Sequence, residues 1–313
     1  MQGKLPPPGL YGPFATGDYA FWNGDFTLDY NQEANFYHVY SSTFSRQSTF
    51  NQNPAICTCF GGLSMTCILP GVGNHPERAA AYFQPILDYM PSARAQAKKT
   101  AATAKLTGCA EKALNYPCHL APWGQQSRDT RTYMQWNGPY AALLFINAWE
   151  YTHDAEFAKN STLPLLDGLN AWSHCYLKQE GDILSDWNAI VPDQAFENHP
   201  AKDPSIGLAL MMRAATAQRD IAKAVGEAYP SYVDEIIAHL APLPVVSGPN
   251  DNAPVWVTAS KGYGWYNSSI FSTHFPSVLY PIYPAEVVDF SSPDAAVARA
   301  SAELYANFTC GLG

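Results

Sequence analysis

Gly138-Pro139-Tyr140-Ala141-Ala142-Leu143-Leu144-Phe145-Ile146-Asn147-Ala148-Trp149-Glu150-Tyr151-Thr152-His153 reads as one strong helix. Tyr140, Leu143, Leu144, Ile146 and Asn147 lead into Trp149-Glu150-Tyr151, and side chains three or four residues apart share a helix face. Leu163 to Leu177 repeats the pattern with Leu165, Leu166, Leu169, Trp172 and Tyr176. Upstream, Glu77 to about Lys105 carries Ala79, Ala80, Phe83, Ile86, Leu87 and Met90 near one face, and Pro85 and Pro91 are expected to kink or divide that helix. Downstream, Pro204 opens a long helix through about Val225, with proline in the first turn. Shorter helices are expected over 230–240 and from Asp294 to Tyr305, and a first one over 32–42.

The segments between them, 1–21, 43–76, 106–136, 178–203 and 241–285, read as loops, with short strands around 255–258. Long loops alternate with short ones, so they can collect at one end of a helical barrel. The expectation is a mainly α chain forming a single domain over 1–313, with about seven helices and no repeat of fixed period.

Composition narrows the function classes. Hydrophobic residues make up 47 % of the 313-residue chain and aromatics 13 %, against 14 % charged, which describes a globular, aromatic-rich protein. The net charge of −9 comes with no basic run, which excludes nucleic acid as an expected partner. No apolar run reaches the length of a membrane span. The seven cysteines include Cys57-Thr58-Cys59 with Cys67, but this spacing lacks a fourth ligand at zinc-site distance, so no metal is expected. Disulfides among Cys57, Cys59, Cys67, Cys109 and Cys118 are the favoured reading. With sequons at Asn160, Asn267 and Asn307, they point to an extracellular or secretory location.

Two stretches concentrate chemistry. Trp22-Asn23-Gly24-Asp25-Phe26-Thr27-Leu28-Asp29-Tyr30-Asn31-Gln32-Glu33-Ala34-Asn35-Phe36-Tyr37 crowds carboxylates, amides and rings around a polar corner. Rings can stack on the apolar faces of a pyranose while carboxylates and amides bond its hydroxyls; the alternative is a surface turn in which Asp29 or Asn31 caps a helix. Loop 178–203 holds Asp182, Asp186-Trp187-Asn188 and Asp193-Gln194-Ala195-Phe196-Glu197-Asn198-His199. A carboxyl beside a ring, as in Phe196-Glu197-Asn198, keeps its proton and can act as a general acid. Two carboxyls flanking one bond are the minimum for glycoside hydrolysis. There is no G-x-S-x-G, dinucleotide or Walker signature.

Taken in order, these segments resemble glycoside hydrolase family 95, the α-L-fucosidase and α-L-galactosidase family. The anchors are Gln2-Gly3, Trp22-Asn23-Gly24-Asp25-Phe26-Thr27-Leu28-Asp29-Tyr30-Asn31, Asn35-Phe36-Tyr37, Glu150-Tyr151-Thr152-His153-Asp154, Phe196-Glu197-Asn198 and His274-Phe275-Pro276-Ser277-Val278-Leu279-Tyr280-Pro281-Ile282-Tyr283-Pro284. The resemblance implies an (α/α)6-toroid of the six-hairpin type. It implies Glu197 as the acid, Asn31 as one of two asparagines that hold the attacking water, and His274 on the sugar. The other asparagine of that pair is Asp29 here, and the arginine before the histidine is Thr273.

The family's N-terminal β-sandwich and its later aspartate-bearing segment have no counterpart, so the expectation is an incomplete barrel. The chain is thus expected to be a cofactor-free, inverting glycosidase with a carbohydrate substrate. Its catalytic residues are Glu197, Asp29 and Asn31, and its substrate-binding residues Trp22, Trp136, His274 and Asn198. The rivals are a catalytically inactive carbohydrate-binding remnant and another helical-toroid carbohydrate enzyme. A lyase for an acidic polymer is disfavoured by the −9 charge, and a phosphorylase by the lack of a Lys/Arg cluster.

Overall fold

The computed structural model describes residues 26–28, 33, 79–120, 134–189, 201–248, 252–262 and 277–309, and they form a mainly helical fold. In chain order come β1 (Phe26–Thr27), α1 (Ala80–Ala104), β2 (His119–Leu120), α2 (Asn137–Ala141), α3 (Leu143–Thr152) and α4 (Ala155–Phe157). A π-type stretch, Ala158–Thr162, joins α4 to α5 (Leu163–Tyr176). Then follow β3 (Lys178–Glu180), β4 (Ile183–Ser185), β5 (Ala201–Pro204), α6 (Ser205–Val225), α7 (Ser231–His239), β6 (Val245–Ser247), β7 (Pro254–Trp256), β8 (Ala259–Gly262) and α8 (Ala295–Thr309).

The long helices end where their sequences say they should. Asp154 accepts the Phe157 amide and caps α4, so the chain re-enters helix at once after the left-handed residue His153. Gly226, at φ +74°, closes α6: its amide and that of Glu227 return to Lys223 and Ala222. Pro85 and Pro91 both lie inside α1, which is one uninterrupted helix and is not divided. Packing holds it together. Tyr82, Phe83, Ile86 and Tyr89 are buried along one side, and the hydroxyls of Tyr82 and Tyr116 bond the carbonyls of Ala141 and Ile86.

The main core gathers these α1 residues with Tyr140, Leu143, Leu144 and Phe145 of α2–α3, Leu165, Leu166 and Leu169 of α5, and Ile206 and Leu210 of α6. Helix α6 is apolar on two sides. Leu208, Met211 and Ala215 pack instead on Val233 and Ile236 of α7. A strap over 112–118 crosses α1 and α5: the Leu114 amide donates to Gly168 O and the Asn115 amide to Ala93 O. It passes so close to Gly168 that a Cβ there would lie 2.5 Å from the Leu114 side chain and 3.0 Å from the Lys112 carbonyl oxygen.

Among the described residues the strands make four two-stranded antiparallel sheets, β1–β2, β3–β4, β5–β8 and β6–β7. This corrects the reading of 178–203 as loop throughout. Gly181, at φ +63°, turns a tight hairpin between β3 and β4, and β5 pairs with β8. The disulfide expectation is corrected for Cys109. Cys109 bridges Cys175 in α5, outside the 57–118 set, and pins the end of the α1 region to α5. Cys57, Cys59 and Cys67 lie outside the described residues, as does the expected helix over 32–42.

A bridge closing 66 residues of chain lowers the entropy of the unfolded state by about 4 kcal/mol in the chain-entropy account. Cys175→Ser should therefore melt several degrees below the oxidised wild-type chain in a thermal denaturation scan. A Cys175→Ser protein that melts with the oxidised wild type would show that the bridge does not form.

Candidate functional site

The described residues with the most unusual chemistry meet at the first turn of α6. Asp186 follows β4, is completely buried, and neither carboxyl oxygen has a hydrogen-bond partner among the described residues. Its neighbour across the turn is Gly207. A Cβ built there would meet Pro204 Cγ at 3.1 Å, Asp186 Oδ2 at 3.3 Å and Trp136 Cδ1 at 3.4 Å, so glycine is what lets these three groups close on the helix. Asn137, next to Trp136, is also fully buried, with both amide atoms unpartnered among the described residues. Thr258 accepts the Ser205 amide through its carbonyl, and its hydroxyl is unpartnered in the same sense.

Asp203 is the opposite case. It stands in β5 with φ +51°, and its carboxylate takes three donors: the Ser185 hydroxyl at 2.8 Å, the Asp186 amide at 2.9 Å and the Ser260 hydroxyl at 3.1 Å. Its own amide donates to Asp186 O at 2.8 Å. Asp186 and Asp203 thus bond reciprocally, the Asp186 amide to the Asp203 carboxylate and the Asp203 amide to the Asp186 carbonyl, yet only one carboxyl is satisfied. Burial, with the Asp203 charge added, pushes the Asp186 carboxyl up to about 8; the nearby Asn188 amide opposes this without making a hydrogen bond. Asp186 therefore carries its proton at neutral pH.

This cluster frames the segments that bear the expected catalytic groups. Ala189 and Ala201, at the two ends of 190–200, exchange both backbone hydrogen bonds, at 2.9 and 2.7 Å. Ala201 is in turn opposite Gly262, the residue before 263–276. Glu197 and Asn198 on the first segment, His274 on the second, and Trp22, Asp29 and Asn31 near the N-terminus all lie outside the described residues. Leu28, immediately before Asp29, is buried in the main core and its amide donates to Cys118 O. Of the expected site residues only Trp136 is described. It is fully enclosed, 6.2 Å from the Tyr140 ring, and its edge rests on the α6 turn.

Sequence reasoning named Asp186 only as one carboxylate of a loop and passed over Asn137 and Asp203. No local signal marks them, because their burial comes from β4, β5, β8 and α6 meeting. Trp187 stands beside them as a half-exposed ring, stacked on Tyr176 at 5.8 Å and fixed by its indole N–H to Tyr176 O. Among the described residues no group of three or more His, Cys, Asp or Glu could hold a metal ion, and no helix is long and apolar enough to cross a membrane. No protein-family model matches the chain, and no curated protein matches it.

The Asp186 carboxyl makes stability depend on pH with a defined sign. Its folded-state value, about 8, lies above the ordinary aspartate value of 3.8, so its stabilising contribution is whole below pH 4 and is lost as pH rises towards 8. By pH 7 the loss is about 4 kcal/mol, at about 1.4 kcal/mol per unit. In Asp186→Asn that part of the slope should vanish. Denaturant unfolding between pH 4 and 8 checks this; parallel stability curves for wild type and variant would refute the assignment.

Proposed function

We propose that the chain is a glycoside hydrolase built on an (α/α)6-type helical toroid, acting on α-L-fucosides or related glycans with inversion. Glu197 protonates the leaving oxygen, and a water held by Asp29 and Asn31 attacks the opposite face of the sugar. Asp29 stands where the family it resembles has asparagine, and it acts as the base. His274, Asn198, Trp22 and Trp136 contact or frame the sugar.

The observation that carries this reading is the junction at Ala201. The pairing of Ala189 with Ala201 and of Ala201 with Gly262 brings together the described ends of the two segments that bear Glu197 and His274. They meet beside a buried carboxyl, an amide and a tryptophan, at the first turn of α6. The mainly helical fold, with Leu28 and Trp136 in one core, supports a common scaffold for these segments. The Cys109–Cys175 bridge supports an oxidising, secretory or extracellular location.

General-acid catalysis contributes about 10²–10⁴-fold. Glu197→Gln should therefore cut hydrolysis of an alkyl α-L-fucoside by that factor, and much less for an aryl fucoside, whose leaving group needs little protonation. Asp29→Asn should abolish turnover of both. If Asp29→Asn retains or gains activity, Asp29 is not the base; if the wild-type chain binds the fucoside without turnover, it is the inactive carbohydrate-binding relative.

A further inference from the structure

We propose that Asp186 and Asp203 form a proton-controlled clamp on the two ends of segment 190–200 and on the first turn of α6, closed while Asp186 is protonated and loosened when that proton leaves. The argument starts from what Asp186 cannot do. Each of its oxygens exposes less than 1 Å² and touches no partner among the described residues, so it works through its charge and not by contact with a ligand. Its backbone, by contrast, is fully engaged. Its amide donates to Asp203 Oδ1 and its carbonyl accepts the Asp203 amide. Three residues on in the chain, and two back from Asp203, Ala189 and Ala201 close the segment.

Among the described residues, the groups facing Asp186 are few. From β5 comes Asp203, the one charge among them that raises it; Asn188 follows it in the chain. Gly207, in the first turn of α6, lies against it, and Trp136, just before α2, meets the same glycine; neither titrates. Lys202, the residue before Asp203, is ion-paired with Glu180 and also feels the Asp203 charge. Beside Asp203, β8 presents Ser260.

The step is one ionisation: the Asp186 O–H bond breaks, the electron pair stays on the carboxyl oxygen, and the proton goes to solvent. The enclosed site then holds two negative charges where it held one. Asp203 has taken up its three donors, and nothing in the described surroundings neutralises the second. Repulsion acts along the reciprocal Asp186–Asp203 bonds, and water must enter to relieve it. The bonds under this load are those that hold 189 to 201 and Ser205 to Thr258.

The test needs no turnover, so it stands apart from the glycosidase reading. Amide hydrogen exchange of the full chain, corrected for intrinsic rates, is followed from pH 6 to 10 alongside tryptophan fluorescence. In the wild type, the Ala189, Ala201 and Asp203 amides should lose at least about ten-fold protection in a one-proton transition centred near 8, with Trp136 and Trp187 reporting the same midpoint. Asp186→Asn keeps the shape without the charge and should stay protected throughout. Asp203→Asn removes the opposing charge but keeps acceptors for Ser185 and the Asp186 amide, and should move the midpoint down. The proposal is overturned if the transition persists in Asp186→Asn, if Asp203→Asn leaves the midpoint in place, or if wild-type protection is constant to pH 9.5.

Discussion

The carboxylate of Asp203 is the joint on which this part of the molecule hangs. Three donors reach it from two strands: Ser185 at the end of β4 and the Asp186 amide just beyond it, and Ser260 in β8. Hydrogen bonds to a charged acceptor each contribute about 1.5–3 kcal/mol, whereas a non-glycine residue in the left-handed region costs about 1–2 kcal/mol. The φ of +51° at Asp203 is therefore affordable, and it turns the carboxylate back to Ser185 while the chain runs on into α6. Without that joint, β5 would still pair with β8, and its ties to the β3–β4 hairpin would be reduced to the Asp203 amide on Asp186 O and the Lys202–Glu180 ion pair.

From this joint the asymmetry of the site follows. Donors at the junction are finite, and Asp203 takes them. Asp186, one reciprocal backbone bond away, is left dry, and so are the amide of Asn137 and the hydroxyl of Thr258. A buried polar group without a partner costs about 1–3 kcal/mol, so this turn is a costly place to keep three of them. A sequence selected for stability alone would have an apolar or paired residue at such positions. Local cost concentrated at the junction of two chain segments is what functional sites display, because activity and stability compete there.

How much of this was legible varied with the physics that set each feature. Helix α6 could be read because its cause is local: proline at its start, glycine at its end and apolar residues at helical spacing between them. The π-type entry into α5 and the unbroken α1 were less so. Pro85 and Pro91 argue against a continuous helix by local rules, and the burial of Tyr82, Ile86 and Tyr89 overrides them. The β3–β4 hairpin escaped because its strands have three residues each, and Lys178-Gln179-Glu180 is exposed and carries no apolar alternation. Cys175 could not be chosen as the partner of Cys109 because spacing does not encode connectivity. Glu197 and His274, expected as site residues from their neighbours in sequence, lie outside the described residues. The candidate site was not legible in Asp186 or Asn137, whose character arises only when distant segments enclose them.

A carboxyl and an amide left dry can mean either a fold under local strain or a site using that strain, and the pattern of bonds decides between them. Strain alone would be spread over whichever groups happened to be buried, and the other unpartnered atoms, such as Ser173 Oγ and Asn170 Oδ1, are of that scattered kind. Asn170 still donates to Ala214 O and to Gln218, so one orphaned lone pair costs it little. At the α6 turn, whole functional groups are orphaned, not single lone pairs, and they adjoin the only described pairing that links the ends of 190–200 to the start of 263–276. An ionisable group there can change the charge of the junction from within it. That property distinguishes Asp186 from the merely buried polar residues elsewhere in the core.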